Sequence, residues 1–374
     1  MKIEMLAVEL KQHMLHVKRS GENSLNDAYK CVKIVANSDG CVSFETTNGS
    51  IAVKSSGTAI EVLEPGEIMI DTFLFSEIVS KSSGEKIVIE TDNKFKTNIR
   101  SEDSSFKIKG LSTDSFPNLV ENTDFIFSVN AEEFKKAVQS VSYAVAVNNL
   151  SNPVLEGIKI KLNASEETLE IVAVDGYRLA LRYLDLTEKN INSEDVEFII
   201  PGKSLNDFLH LIKGEDVDIE IYLSKTKNTV LFNYKNVQYY ASLLAGEFMN
   251  IKKIIPKDYK KLIKANTADL KKAVDRACIF SDKDHCMKMG IKEGSLYLNC
   301  QSQVGNCVDK INIADTTKGE DLLIGVNPQF MKDVLNSWEA EDIYLGFNTE
   351  TSPISILHEK EFRSLILPVR IRDK

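Results

Sequence analysis

The chain repeats itself three times at intervals of roughly 125 to 130 residues, which limits it to a string of like units. Phe134-Lys-Lys-Ala-Val138 returns as Leu270-Lys-Lys-Ala-Val274, with Leu10-Lys-Gln-His-Met14 as a weaker first copy. Each copy is followed by a strand-like run: Val42-Ser-Phe-Glu-Thr46, Leu169-Glu-Ile-Val-Ala173 and Leu296-Tyr-Leu-Asn-Cys300. An apolar strand then leads into an amphipathic stretch, in the copies Glu67-Ile-Met-Ile-Asp71, Glu197-Phe-Ile-Ile-Pro201 and Leu322-Leu-Ile-Gly-Val326. Solenoid repeats are only tens of residues long, so this period fits three successive domains of one fold. The boundaries are expected to give domains 1–122, 123–253 and 254–374, after the paired segments Phe116-Pro-Asn-Leu119 and Phe248-Met-Asn-Ile251.

The first element of each unit reads as a helix. Phe134, Ala137, Val138, Val141 and Val145 fall on one helical face, with Asn130 as N-cap and Glu133 three residues on. The third copy repeats the device with Asn266, Asp269 and the stripe Leu270, Ala273, Val274, Ala277 and Cys278. A second helix follows the apolar strand. Phe75, Ile78 and Val79 match Leu205, Phe208 and Leu209, then Met331, Val334 and Leu335. Asp71 and Asn327 are natural caps, and Pro328 suits the first helical position, where its missing N–H costs nothing. The remainder is strand-rich, with β-branched runs at Ile87-Val-Ile-Glu90, Val217 to Leu223 and Ile343 to Phe347. The expected class is therefore α+β, each unit carrying two helices on antiparallel sheets.

A hydrophobic share of 43% and a charged share of 27% are those of an ordinary soluble protein. No run approaches the ~18 apolar residues of a membrane span, and Met1-Lys-Ile-Glu-Met-Leu6 lacks the apolar core of a signal peptide. A cytoplasmic protein with no membrane contact is expected. The cysteines Cys31, Cys41, Cys278, Cys286, Cys300 and Cys307 contain no C-x-x-C, so reduced thiols are expected rather than a zinc site. A net charge of −9 excludes a surface that coats nucleic acid everywhere but leaves room for a basic stripe.

No catalytic centre is visible. The chain has no Gly-rich phosphate loop, no H-E-x-x-H and no G-x-S-x-G, and its five histidines share no site. The protein is expected not to be an enzyme and to need no cofactor or metal. One segment stands out, Ala173-Val-Asp-Gly-Tyr-Arg-Leu-Ala180. Asp175-Gly176 is a hairpin turn signal, which leaves Tyr177 and Arg178 without a structural reason.

This segment resembles the Asp-Gly-His-Arg-Leu-Ala-like signature of bacterial DNA polymerase III beta subunits, the sliding clamps, and the resemblance runs through the whole chain. Phe116-Pro-Asn-Leu119 is similar to the end of the family's first domain, and Asn152-Pro-Val-Leu-Glu-Gly157 to its Pro-Ile-Leu-x-Gly stretch. Ala277-Cys-Ile-Phe-Ser-Asp282, Val326-Asn-Pro-Gln-Phe-Met-Lys-Asp-Val-Leu-Asn336 and Leu367-Pro-Val-Arg-Ile371 resemble later landmarks in the same order.

The resemblance implies a head-to-tail homodimer whose six domains close a ring around duplex DNA, encircled without regard to sequence. In such a ring helices line the hole, and only the lining need be positive. The lining candidates are Lys11, Lys135, Lys136, Lys203, Lys271, Lys272 and Arg276; each is equally what the solvated face of an amphipathic helix carries. The family docks the replicative DNA polymerase, the clamp loader and repair proteins through short apolar peptides of the Gln-Leu-x-Leu-Phe type, in a pocket between domains two and three. Carried over, that pocket comprises Leu155, Val174, Gly176, Tyr177, Arg178, Leu179, Met249, Ile254, Leu365, Leu367, Pro368, Val369 and Arg370. Phe106, Ile279 and Phe280 match the family's apolar dimer interface.

Departures are also legible. Tyr177 replaces the signature histidine and Met249 a usual proline; Pro153 and Val154 stand where some members carry DNA-contacting tyrosines. Ser20 to Asp27 lacks the arginine and Pro-Ile-Leu of the family's first domain. Two other readings stay open: a diverged scaffold that binds partner peptides without being the main replication clamp, and an unrecognised hydrolase.

Overall fold

The structure, a computed structural model, describes residues 1–20, 27–119, 123–186, 191, 194–281, 286–292, 294–315, 321–337, 339–358 and 362–371. The boundary expected at residue 122 and most of the Ser20–Asp27 segment lie outside the described residues. Six α-helices are described: α1 (Ala7–Val17), α2 (Thr72–Lys81), α3 (Ala131–Ser142), α4 (Gly202–Leu209), α5 (Thr267–Ile279) and α6 (Pro328–Asn336). They fall two to a repeat, as the periodicity predicts. None of the described helices is long and apolar enough to cross a membrane.

The caps act as expected. Asp71 accepts from the Leu74 amide at 2.8 Å, Asn266 from Asp269 at 3.1 Å, Asn327 from Gln329 at 2.9 Å and Asn130 from Glu132 at 3.0 Å. The apolar stripes of α2, α4 and α6 are all buried. One expectation needs correcting: Val145 does not extend the stripe of α3, which ends at Ser142. Beyond it the chain turns through Ala144→Val141 and Val145→Ser142 hydrogen bonds. A second correction is a shift of one residue. Measured from the helix starts Thr72, Gly202 and Pro328, the partner of Met69 and Ile199 is Gly325, not Ile324.

Strand pairing runs across the repeats. Met1–Glu132 and Lys203–Leu243 cluster in one compact unit, and Glu133–Glu188 and Leu244–Lys374 in a second. In the first unit an eight-stranded antiparallel sheet runs Thr123–Asn130, Asp218–Ser224, Thr229–Tyr234, Val237–Ser242, Ile51–Thr58, Cys41–Thr47, Cys31–Ala36 and Gly66–Asp71. The last strand of repeat two thus pairs with a strand of repeat one, with Tyr239 opposite Val53. In the second unit a nine-stranded sheet is joined the same way, with the last strand of repeat three, Phe362–Ile366, pairing with Arg178–Asp185.

Two strands are left at open edges by this rule. Ser105–Lys109, the last strand of repeat one, edges a five-stranded sheet; Gly305–Asn312, the third-repeat equivalent of Ile51–Thr58 and Arg178–Asp185, edges a four-stranded one.

The interior of the first unit holds a buried histidine pair. His13 and His16 on α1 both reach Ser55 Oγ, at 2.8 and 3.0 Å, and His13 stacks on Phe44. The hydroxyl has one proton to give and two lone pairs to accept with, so it can bond both rings at once. Burial pushes both imidazoles below their ordinary range. For His16, with His13, Lys213 and Lys235 adding to the effect, the pKa is lowered to about 4. Between that value and the unfolded value near 6.5 the unfolded chain binds more protons, so stability is full above the unfolded pKa and lost as pH falls. Between pH 7.5 and pH 5, urea unfolding should show a loss of about 2 kcal/mol from His16, which the variant His13→Gln, His16→Gln largely removes.

Candidate functional site

The signature hairpin is built from its turn outward. Gly176 sits at φ +94°, a conformation that favours glycine, with open space around its α-carbon. Asp175 Oδ1 accepts from the Tyr177 and Arg178 amides at 2.9 and 3.0 Å, which closes the turn between the strands Thr168–Val174 and Arg178–Asp185. Alternation along those strands then sorts the side chains. Val172, Val174, Leu179 and Leu181 share one face and meet Leu365 and Ile251 in a small apolar cluster separate from the main core. Leu155, Tyr183, Phe248 and Ile255 pack on it half-buried. On the same sheet face, beside the cluster, lies a buried ion pair, Lys159–Glu170 at 3.1 Å, with the ammonium 5.6 Å from the centre of the Phe248 ring.

Four of the expected docking residues, Leu155, Val174, Leu179 and Leu365, therefore belong to one cluster. Around it the chain exposes large apolar side chains: Tyr177, 64% exposed, with Met249, Ile254 and Leu367. Pro368 and Val369 are half-buried and Arg370 is exposed. The Leu367 amide donates to the Tyr177 carbonyl at 2.8 Å, so the segment after the last strand borders the hairpin turn. Sequence reasoning missed Val172, Leu181, Ile251, Phe248, Tyr183 and Ile255. The alternation of Val172, Val174, Leu179 and Leu181 could have revealed the first two.

Arg178 is the exception. Its guanidinium bonds Asp175 Oδ2 through Nε at 2.9 Å and Asp333 Oδ2, on α6, through Nη1. It lies 4.4 Å from the centre of the Phe330 ring and 5.3 Å from that of Tyr143, and both rings pack on the main core beside α5 and α6. Adjacent strand residues point to opposite faces, so Leu179 belongs to the apolar cluster and Arg178 to the helix side. The two neighbours expected at one pocket thus have different surroundings, the guanidinium held by Asp175 and Asp333 and Leu179 packed in the apolar cluster. Tyr143, driven by burial well above the usual phenol range, donates to Ser364 Oγ at 2.8 Å, and Ser364 donates to the Leu179 carbonyl at 2.9 Å.

The basic candidates divide in the same way. Lys136, Lys203 and Lys272 are exposed, and Lys135 and Lys271 half-exposed, on α3, α4 and α5. Arg276 is forked onto Asp309 at 2.9 and 2.7 Å, so its charge is balanced within the fold. The Lys11 ammonium donates to the Ser82 carbonyl at 3.1 Å, and the outer face of α1 carries exposed Val8 and Leu15. At the open edges Ile279 is 73% exposed, Val304 and Val308 are exposed, and Phe106 is half-buried. The ring of half-buried Phe280 lies over the α-carbon of Gly305. Among the described residues the cysteines are free thiols, burial pushes that of Cys300 up to about 11, and no group of three or more His, Cys, Asp or Glu is placed to hold a metal.

Sequence models of the DNA polymerase III beta subunit match in the order of the repeats: N-terminal domain at residues 4–120, central domain at 128–250 and C-terminal domain at 252–370. The beta sliding clamp of Bacillus subtilis is 31% identical over 353 residues, covering 91% of each chain. That of Staphylococcus epidermidis is 29% identical over 352 residues, covering 92% of this chain and 90% of the relative. The crystal structure of the Bacillus subtilis DNA polymerase sliding clamp superposes with a TM-score of 0.90 at 28% identity, covering all of both chains. The Streptococcus pyogenes beta subunit, at 22% identity and a TM-score of 0.92 over 99% of this chain and 100% of that one, shares the fold. With three clamp domains in this order along its length, the chain belongs to the DNA polymerase III beta-subunit family, the bacterial sliding clamps.

Proposed function

We propose that the protein is a DNA sliding clamp: two copies close head to tail into a ring of six like domains around duplex DNA and tether the replicative polymerase for processive synthesis. The observation that carries the ring is the pairing rule. In two places the last strand of one repeat completes the sheet of the repeat before it. The unpaired strands, Ser105–Lys109 and Gly305–Asn312, are the two members that rule leaves over. A second copy supplies both partners, and the five- and four-stranded sheets then join into one of nine strands. Phe106 on one strand and Ile279 and Phe280 beside the other provide the apolar contact that an obligate interface needs. Because the contact is heterologous, two copies close it only by meeting twice.

In this reading the domains divide near residues 122 and 253, the lysines of α3, α4 and α5 face the phosphates, and Arg276 belongs to the interface through Asp309. The apolar cluster around Leu155, Val174, Leu179 and Leu365 is the docking slot for short apolar peptides of the polymerase, the clamp loader and repair proteins. Leucine and phenylalanine anchors suit it, because a cluster of aliphatic side chains with an exposed rim binds through desolvation. The clamp is a non-catalytic tether that works in the cytoplasm, and the loader supplies the energy of ring opening.

The deciding experiment loads labelled protein onto nicked circular DNA with a clamp loader, then linearises the DNA. A ring is retained on the circle in high salt and runs off the linear ends. Equal loss from both forms, with peptide binding intact, identifies a scaffold that does not encircle DNA.

A further inference from the structure

We propose that Asp333 and Gly325, neither of which lies in the apolar cluster, are positioning residues that set the shape of the docking slot. The inference rests on the docking reading above. The rim of the slot consists of two segments outside regular strands, the turn Asp175–Arg178 and the chain from Leu367 to Arg370, joined by the Leu367-to-Tyr177 hydrogen bond. Each is anchored from behind at one point.

The turn is anchored through Arg178. Asp175 binds the guanidinium from within the turn, and Asp333 binds it from α6 in the next repeat. Asp333 is fully engaged, its Oδ1 accepting from Gln329 Nε2 at 2.8 Å while Oδ2 takes Arg178. The side chains of Arg178 and Asp175 are only 12% and 14% exposed. Removing Asp333 leaves a largely buried cation with one carboxylate, and the cation relaxes toward water by moving the turn that carries it. The aromatic ring at position 177 moves with that turn; it already lies 6.2 Å from Phe330. Position 333 therefore controls where Tyr177 stands over the slot.

The tail is anchored at Gly325. In every repeat the chain after the last strand returns to bond the edge strand before the second helix: Leu111 to Met69, Leu244 to Ile199, and Val369 to Gly325 at 2.8 Å. Only the third repeat has glycine there, and its tail sits closer than a side chain permits. A β-carbon at Gly325 would lie 2.3 Å from the Val369 carbonyl oxygen and 3.1 Å from Cys286 Sγ. Alanine at this position therefore lifts Val369, and with it Leu367 and Pro368.

The test measures anisotropy of a fluorescein-labelled Gln-Leu-Ser-Leu-Phe peptide on the full-length dimer, with amide exchange at Leu367 and Val369 and retention on circular DNA alongside. Asp333→Ala and Gly325→Ala should each weaken the peptide about tenfold or more, the effect of losing one good contact. Asp333→Ala should speed exchange at Leu367 and Gly325→Ala at Val369, with DNA retention unchanged. Lys332→Ala, the neighbour whose ammonium pairs with Asp275 at 2.9 Å, should leave peptide affinity as it was. Wild-type affinity in both variants, or unaltered exchange at both amides, overturns the proposal. Failure of the unmodified protein to bind the peptide overturns the docking reading instead, and the exchange data then still decide whether Asp333 and Gly325 hold the rim.

Discussion

Reversing Lys135, Lys136, Lys271 and Lys272 together to Glu should abolish the salt-sensitive binding of the protein to a short labelled duplex while leaving the dimer and its peptide binding intact. These residues sit five and six positions into α3 and α5, the same place in two repeats, and are exposed or half-exposed there. Each phosphate neutralised contributes about 0.9 to the slope of log affinity against log salt, so losing four contacts from each of the two copies removes about 7 from that slope. Reversal also adds repulsion, so the loss at moderate salt should reach a thousandfold or more. Single Lys11→Glu should do little. Lys11 occupies the equivalent place on α1, but its ammonium is bonded to Ser82 and its neighbours on the outer face are Val8 and Leu15. If Lys11→Glu matches the quadruple variant, the first repeat carries the phosphate contact and the assignment is inverted.

The second large effect is at the edge strands. Phe106→Asp combined with Ile279→Asp should convert the protein from two chains to one by light scattering and end DNA retention. Ile279 is largely exposed in the single chain, and an apolar anchor at an interface centre contributes about 2 to 4 kcal/mol. Two such losses, with charges forced into the contact, should raise the dissociation constant by about three orders of magnitude or more. The secondary structure should be unchanged, because neither residue is in the fully buried core. A dimer that survives both substitutions means that the two leftover edges do not meet.

Much of the fold is legible in the residues because it is written in local signals. Asn266, Asp71 and Asn327 announce helix starts by satisfying free amides, and the stripes of α2, α4 and α6 mark buried faces through their period. Val145 shows the limit of such signals: it keeps the period by chance after the backbone has left the helix. The slot is half legible for the same reason. Leu179 and Leu365 stand directly opposite each other, but the register that joins them spans repeats two and three.

The triplication is legible from spacing between repeats, the α+β class and the caps from spacing within one, and four members of the apolar slot from the family resemblance. Only the tertiary structure decided that the sheets cross the repeats, that two edges are left over, and that Arg178 turns away from Leu179 to Asp333, 155 residues on. Strand partners and ion pairs are chosen among groups far apart in the chain. Their free energy depends on which face each side chain enters and what surrounds it, and neither is defined until the chain has folded.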